Sequence, residues 1–312
     1  MNFLFLMDPL ETINVKKDTT FMLMLAAHKR GHAVYYLPDG GISLKNNLVY
    51  FRVLRVVPQR GTFLPFVRKE TAELSQKQVD AVFIRTDPPF NEKYLMNTWL
   101  LDRLPKSIAV INRSAGVRAV NEKIWATQFA NIIPRTYLGR NKQDILNFFL
   151  KEKKVIVKPV NGYGGSSVFY IESTDKNAHV IFETVSANWT KDIIVQQYIS
   201  DAKSGDKRIL LLNGEPLGAV LRVHASDDHR NNFFAGGKPQ AATLTARDRQ
   251  IIKMLKPFLK ELGLYFVGID IIGKYLIEVN VTSPTCLQEM NQLYDQNLEE
   301  KVIAFAEKLT KK

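Results

Sequence analysis

FVGIDIIGKYLIEVNVTSPT, residues 266–285, decides how the rest of the chain is read. Phe266 to Ile272 is an apolar, β-branched run, Gly273-Lys274 is a turn signal and Tyr275 to Val281 alternates, so a β-hairpin is expected. Three oxygen-bearing side chains ride on it. Glu278 and Asn280 are two positions apart and share a face of their strand, among neighbours whose character is that of a core. Acids do not belong on such a face unless something pairs with them. A hard divalent cation meets that need, because Mg2+ takes carboxylate and amide oxygens and leaves room for phosphates. Parity sets a condition: with a two-residue turn, Asp270 falls opposite Ile277 and faces away from Glu278. A common face for all three needs an odd loop or a bulge, and Gly273-Lys274-Tyr275 is expected to be that loop, its glycine supplying an unusual backbone angle. The plain alternative is a hairpin whose Asp ends a strand and whose Glu meets a lysine.

Upstream, Val155-Ile156-Val157-Lys158 is a strand, and Asn161-Gly162-Tyr163-Gly164-Gly165-Ser166-Ser167 is a loop before a second strand, Val168 to Ile171. Small residues let backbone N–H groups converge on an anion, although no Gly-Lys-Ser/Thr follows and a flexible turn explains the loop equally well. Its position is what raises it, directly after Lys158 and ahead of a carboxylate hairpin able to hold a metal. Lys123 is placed near the start of a helix over 120–130, closed off by Pro134. The strand Ile193 to Ile199 ends in Gln196-Gln197-Tyr198-Ile199, where a departing backbone offers N–H and C=O groups to a purine edge. Asp206-Lys207-Arg208 leads into strand Ile209 to Leu212, and Arg222 sits on strand Gly218 to Val223. Either guanidinium suits carboxylate or phosphate, or a solvated strand edge. Residues 224–240, HASDDHRNNFFAGGKPQ, are long for a structureless connection and are expected to be a lid or binding loop. Helices over 246–262, stopped by Gly263, and over 297–309 complete this part.

Residues 1 to about 120 alternate strands (Phe3–Met7, Ala33–Leu37, Ala81–Arg85, Ala109–Asn112) with helices near Thr20–Arg30 and Tyr94–Arg103, a parallel α/β pattern. The loops Asp8-Pro9 and Arg85-Thr86-Asp87-Pro88-Pro89 follow strand carboxyl ends, where open sheets bind ligands, though Asp-Pro also starts ordinary turns. At 312 residues and 46% hydrophobic content the chain can bury a sizeable core in two or three domains. Its single cysteine, Cys286, excludes an internal disulfide and a cysteine zinc cage and suits a reducing compartment. The start MNFLFLMDPL lacks the marks of a leader and reads as a buried strand. With no apolar run near transmembrane length, a soluble, cytoplasmic protein is expected. The net charge of +12 is scattered and not interleaved with stacking aromatics, which favours an anionic small molecule over nucleic acid.

Taken in order, Lys123, Lys158, the glycine loop, Gln196–Ile199, the two arginines and Asp270/Glu278/Asn280 resemble the kit of the ATP-grasp ligases. Within that superfamily the chain is similar to the bacterial glutathione synthetases. The strings are MDP at Met7, KKD at Lys16, RTDPPF at Arg85, NEK at Asn121, KP then GYGGSS from Lys158, GDKR at Gly205, AGG at Ala235, and FVGIDIIG through EVNVTSPT. Together they are highly specific; singly, only the last is. The resemblance implies an α/β fold, α+β in its ATP-grasp part: a Rossmann-like domain at 1–120, a central ATP-grasp subdomain at 121–200 and a C-terminal one at 201–312. It implies that ATP, γ-glutamylcysteine and glycine give glutathione, ADP and phosphate, in a homo-oligomer, dimer or tetramer, with no nucleic-acid or membrane partner.

Carried over by position, ATP would meet Lys123, Lys158, Gly162, Gly164, Gly165, Ser166, Asp206 and the Gln196–Ile199 stretch, with the main chain of Gln197 and Ile199 on adenine. Asp270, Glu278 and Asn280 would hold Mg2+, with Mn2+ as a substitute, and Arg208 and Arg222 would be catalytic. Arg85, Arg230, Asn280, Ser283 and Thr285 would face the other substrates. The lid departs from the family's usual Arg-Gly-Asn, reading Arg230-Asn231-Asn232-Phe233-Phe234. An ATP-grasp ligase with another acceptor, or an ATP-binding module without turnover, stays open as the alternative.

Overall fold

The computed structural model describes residues 1–61, 63–223 and 237–310. The first part of the chain runs β1 (Asn2–Leu6), α1 (Thr19–Lys29), β2 (Ala33–Leu37), β3 (Ile42–Lys45), β4 (Leu48–Pro58), β5 (Phe66–Ser75), β6 (Ala81–Ile84), α2 (Glu92–Leu101), β7 (Ala109–Ile111) and α3 (Ser114–Ala119). Strands β2, β1, β6 and β7 are parallel neighbours in that order, as alternating apolar strands and helices predict. Asp18 caps α1, its carboxylate accepting from the Phe21 N–H at 2.5 Å. Three strands of this first part escaped the sequence reading: β4 joins β2 antiparallel, and β3 and β5 pair with β4. The pattern was present, since Val49, Phe51 and Val53 are buried in alternation, but its phase slips at Arg55, where the β4–β5 ladder is irregular.

The helix expected over 120–130 is absent. Beyond α3 Val120 is extended, and residues 122–124 form a turn that runs into a short 3-10 segment at Trp125–Gln128. The turn is set by Asn121, whose side-chain oxygen accepts from the N–H groups of Lys123 (3.1 Å) and Ile124 (3.0 Å) and whose carbonyl accepts from the Trp125 N–H at 2.9 Å, a cap on the one short turn that forms. A four-stranded antiparallel sheet follows, built from β8 (Thr136–Gly139), α4 (Lys142–Glu152), β9 (Lys154–Pro159), β10 (Phe169–Glu172), α5 (Ala178–Val185) and β11 (Ile193–Gln197), in strand order β10-β9-β11-β8.

The last part comprises β12 (Asp206–Leu212), β13 (Glu215–Val223), β14 (Lys238–Ala241), α6 (Ala246–Glu261), β15 (Phe266–Ile272), β16 (Tyr275–Asn280), α7 (Leu287–Tyr294) and α8 (Leu298–Thr310). Its strands order as β14-β13-β12-β15-β16. Thr245 and Asp248 form a capping box at the start of α6. Gly263 ends it with φ +65°, and a Cβ there would meet the Arg113 side chain at 2.2 Å. Of the expected lid, residues 224–236 lie outside the described residues; the remainder runs into β14, which pairs with β13 instead of forming a loop.

Packing divides the molecule differently from the chain order. One apolar cluster joins Leu4, Leu6 and Phe51 to Ile209, Val267 and Leu255, and a second joins Phe3, Phe5 and α1 to Phe266, Met290 and Ile303. The first and third sheets therefore share their cores. The middle sheet has its own, with every member between Tyr137 and Val195. Among the described residues no helix is long and apolar enough to cross a membrane.

Candidate active site

Between the second and third sheets lies a cavity of about 330 Å³. Its floor is the β15–β16 hairpin, and the register resolves the parity question. The turn is the two-residue Gly273-Lys274, with Ile272 opposite Tyr275, so the expected three-residue loop is not formed. The compensation is a bulge farther along: Ile271 pairs with Leu276 but Asp270 with Glu278. Ile277 is the extra residue, and Asp270, Glu278 and Asn280 all line the cavity. The Asn280 amide lies 3.4 Å from Asp270 Oδ2 and donates to the Gly268 carbonyl at 3.3 Å.

Strands β12 and β13 bring in the arginines. Arg208 is directly across from Asp270 and Arg222 across from Asp206, and all four are buried. The Arg208 fork donates to both Asp270 oxygens. Arg222 donates to both oxygens of Asp206 and reaches Asp270 at 3.0 Å. Burial alone would push Asp270 up, but the two guanidiniums outweigh it and hold this carboxyl well below its usual range. At Asp206 burial wins over Arg222 and the carboxyl is pushed up. Asp206 lines the cavity, yet both its oxygens are committed to Arg222, so it meets the sequence expectation by place more than by availability.

Lys158, on β9, is buried and donates to Gln196 Oε1 at 3.3 Å; Gln196 in turn donates to Thr136 Oγ1 at 2.8 Å. Burial pulls its ammonium down to about 8, against the opposing pull of Glu278. Lys123 donates to the Gly162 carbonyl and stands 3.2 Å from Glu278, so the plain alternative of a glutamate meeting a lysine is also realised. In the glycine loop Gly164 and Gly165 have φ of +62° and +75°, the left-handed backbone for which glycine is suited. Gly162, Gly164, Gly165 and Ser166 line the cavity, as do Gln196, Gln197, Tyr198 and Ile199. Among the described residues the Ile199 N–H makes no hydrogen bond, while its carbonyl accepts from Ala202 at 3.0 Å.

Ser283 and Thr285 line the same cavity. Arg85 does not. It is buried behind them, donating to Thr20 Oγ1 (3.0 Å) and to the Pro284 carbonyl (2.9 Å), while Ser283 Oγ donates to the Arg85 carbonyl at 3.3 Å. Arg230 lies outside the described residues. Among the cavity residues that bear an acid or a thiol, Glu122 and Cys286 were not singled out as site residues, and Asp87 was noted only as part of a strand-end loop. Asp87 and Glu122 sit in the strings RTDPPF and NEK, and carboxylates beside a singled-out cation were the signal available.

The donor set suits a hard cation. Two carboxylates and an amide share one face, and among the described residues no trio of His, Cys, Asp or Glu side chains is placed to hold a metal unaided. That is the pattern of an ion bound by one or two carboxylates plus substrate phosphates. Each carboxylate is paired with cations in this structure, Asp270 with Arg208 and Arg222 and Glu278 with Lys123, and a metal would have to take their place.

Two family models match the chain: the prokaryotic glutathione synthetase N-terminal domain over residues 1–118 and the prokaryotic glutathione synthetase ATP-grasp domain over 122–295. Among similar proteins, the glutathione synthetase of Gloeobacter violaceus is 39% identical over 311 residues, covering 97% of this chain and 95% of the relative. That of Synechococcus elongatus is 38% identical over 319 residues, 99% of each. Among solved structures, the D-cycloserine synthetase DcsG aligns with a TM-score of 0.68 at 14% identity, over 98% of this chain and 99% of the other. The macrocyclase MdnC from Microcystis aeruginosa, bound with precursor peptide MdnA, aligns with a TM-score of 0.66 at 16% identity over the whole of both. These likenesses bear on fold alone. The chain belongs to the prokaryotic glutathione synthetase family and is an ATP-dependent ligase of the ATP-grasp type.

Proposed function

We propose that this ligase joins γ-glutamylcysteine to glycine through an acyl phosphate, giving glutathione, ADP and phosphate. The observation that carries the reading is a single cleft in which two lysines, two buried arginines and an oxygen-bearing face converge. A carboxylate cannot accept an amine until one of its oxygens becomes part of a leaving group. The dipeptide carboxylate oxygen takes the γ-phosphoryl group and ADP departs; the glycine amine then attacks the acyl carbon, and phosphate leaves with that oxygen. Neither step needs a nucleophilic side chain, only positioning and charge neutralisation.

In this reading Lys123, Lys158 and the loop Gly162, Gly164, Gly165 and Ser166 take the phosphates. The free Ile199 N–H and the Gln197 carbonyl take the adenine edge, and Asp206 acts by holding Arg222. Arg208 and Arg222 neutralise charge on the transferred group. Ser283 and Thr285 face the peptide, on a loop that Arg85 supports from behind. Asp270, Glu278 and Asn280 would hold Mg2+, or Mn2+ in its place, which when bound neutralises phosphate charge. Domain limits of 1–120, 121–200 and 201–312, a homo-oligomer and a cytoplasmic setting complete the proposal.

The test is product formation by the purified chain. Phosphate is expected only with ATP, a divalent cation and γ-glutamylcysteine together, and glycine is expected to give one tripeptide per phosphate. Equal phosphate release without the dipeptide refutes the reading, and a preference for another amine over glycine reassigns the acceptor.

A further inference from the structure

Among the described acids lining the cavity, Glu122 is the one whose carboxylate takes the backbone just past the end of β16. Its Oε1 accepts three hydrogen bonds, from the Val281 N–H (2.7 Å), the Thr282 N–H (3.0 Å) and Thr282 Oγ1 (2.9 Å). Its own carbonyl accepts from the Val279 N–H at 2.9 Å. The next residue, Lys123, pairs with Glu278 and holds Gly162. A two-residue strap thus runs along the end of β16, spanning the point where the strand becomes the Thr282–Thr285 loop.

The two halves of that region are unequally secured. Upstream, Asp270, Glu278 and Asn280 are fixed by the β15–β16 ladder, and the Val281 carbonyl accepts from Asn112 Nδ2 at 2.8 Å. Downstream the ladder has ended. Thr282 has the Glu122 carboxylate on both its N–H and its hydroxyl, Ser283 has the Arg85 carbonyl and the Asp87 carboxylate on its hydroxyl, and the Pro284 carbonyl accepts from Arg85. We infer that Glu122 is a positioning residue for the peptide substrate: it fixes the Thr282–Thr285 loop against the metal-bearing end of the hairpin without touching the nucleotide. Three donors converging on one accepting oxygen hold the start of the loop, and a loop displaced by even about 1 Å loses productive geometry.

The inference rests on the proposed function, so the experiment carries its own control. Wild type, Glu122→Ala and Glu122→Gln are assayed for tripeptide formation at varied γ-glutamylcysteine, and for binding of a non-hydrolysable ATP analogue with Mg2+. Glu122→Ala is expected to raise the dipeptide KM by about tenfold or more while changing analogue affinity less than about threefold. Glu122→Gln keeps the accepting oxygen and is expected to stay within about threefold of wild type in both. Should Glu122→Ala not fold, Thr282→Val removes one of the three donors, and a roughly threefold rise in dipeptide KM is expected. Absence of tripeptide with the wild type removes the proposed function. An active wild type whose Glu122→Ala variant (or Thr282→Val, should that one not fold) keeps the dipeptide KM, or loses dipeptide and nucleotide binding in step, overturns the positioning role.

Discussion

Lys158 separates stability from function in a measurable way. Burial has moved its ammonium from 10.5 to about 8, which corresponds to roughly 3 kcal/mol for keeping that charge in the ligand-free fold. Lys158→Met keeps the stem and deletes the charge, and it forfeits the 3.3 Å bond to Gln196, worth about 1 kcal/mol. The net expectation is a ligand-free protein more stable by about 2 kcal/mol at neutral pH. Because the folded pKa is depressed below the unfolded one, the unfolded chain binds more protons between about 8 and 10.5, and wild-type stability rises with pH across that window. The methionine variant's advantage is therefore full below about pH 8 and gone near 10.5. Urea denaturation of both proteins, from pH 7 upward and without nucleotide, reads this directly. The same variant is expected to lose on the order of 10²-fold in turnover, the size of one lost charge-stabilising donor. A variant less stable than wild type at pH 7, or an advantage that ignores pH, refutes the reasoning.

Two further substitutions test the scaffold. Asp270→Asn leaves the buried Arg208 and Arg222 without their shared anion. It is expected to lower the denaturation free energy by about 3 kcal/mol as well as abolish most turnover; an unchanged urea midpoint removes the anchoring role. Asn112→Ala deletes three buried hydrogen bonds, from its Nδ2 to the Phe266 and Val281 carbonyls and from the Phe266 N–H to its Oδ1. It is expected to cost about 2–4 kcal/mol, and a loss under about 0.5 kcal/mol in the same titration contradicts that placement.

The parts of the site legible in the sequence are those written in short-range periodicity. The spacing of Glu278 and Asn280 put both on one face, and parity correctly demanded an irregularity to bring Asp270 there. Which residue would bulge was not legible, because Gly273 advertises a turn while Ile277 carries no mark of its place opposite Asp270. Lys123 was identified although its helix was not, since a string match fixes identity and Asn121 decides backbone. Glu122 stayed hidden because its partners lie about 160 positions away in the chain. Asp206 was visible as a polar residue at a strand start, but its commitment to Arg222 follows from cross-strand register, which no local pattern encodes.

The separate core of the middle sheet has a mechanical consequence. Two bodies meet at the cleft, one built from the first and third sheets through shared apolar packing and the other self-contained between Tyr137 and Val195. Across the seam run polar fastenings such as Lys123 to Gly162 and the 3.3 Å contact of Asn121 with Asn161. Polar fastenings can be remade by an anion at little cost, whereas interdigitated apolar side chains cannot slide without opening voids. On the proposed placement of the phosphates between Lys158 and the β15–β16 hairpin, a nucleotide would touch both bodies and act as the rivet that sets the width of the cleft.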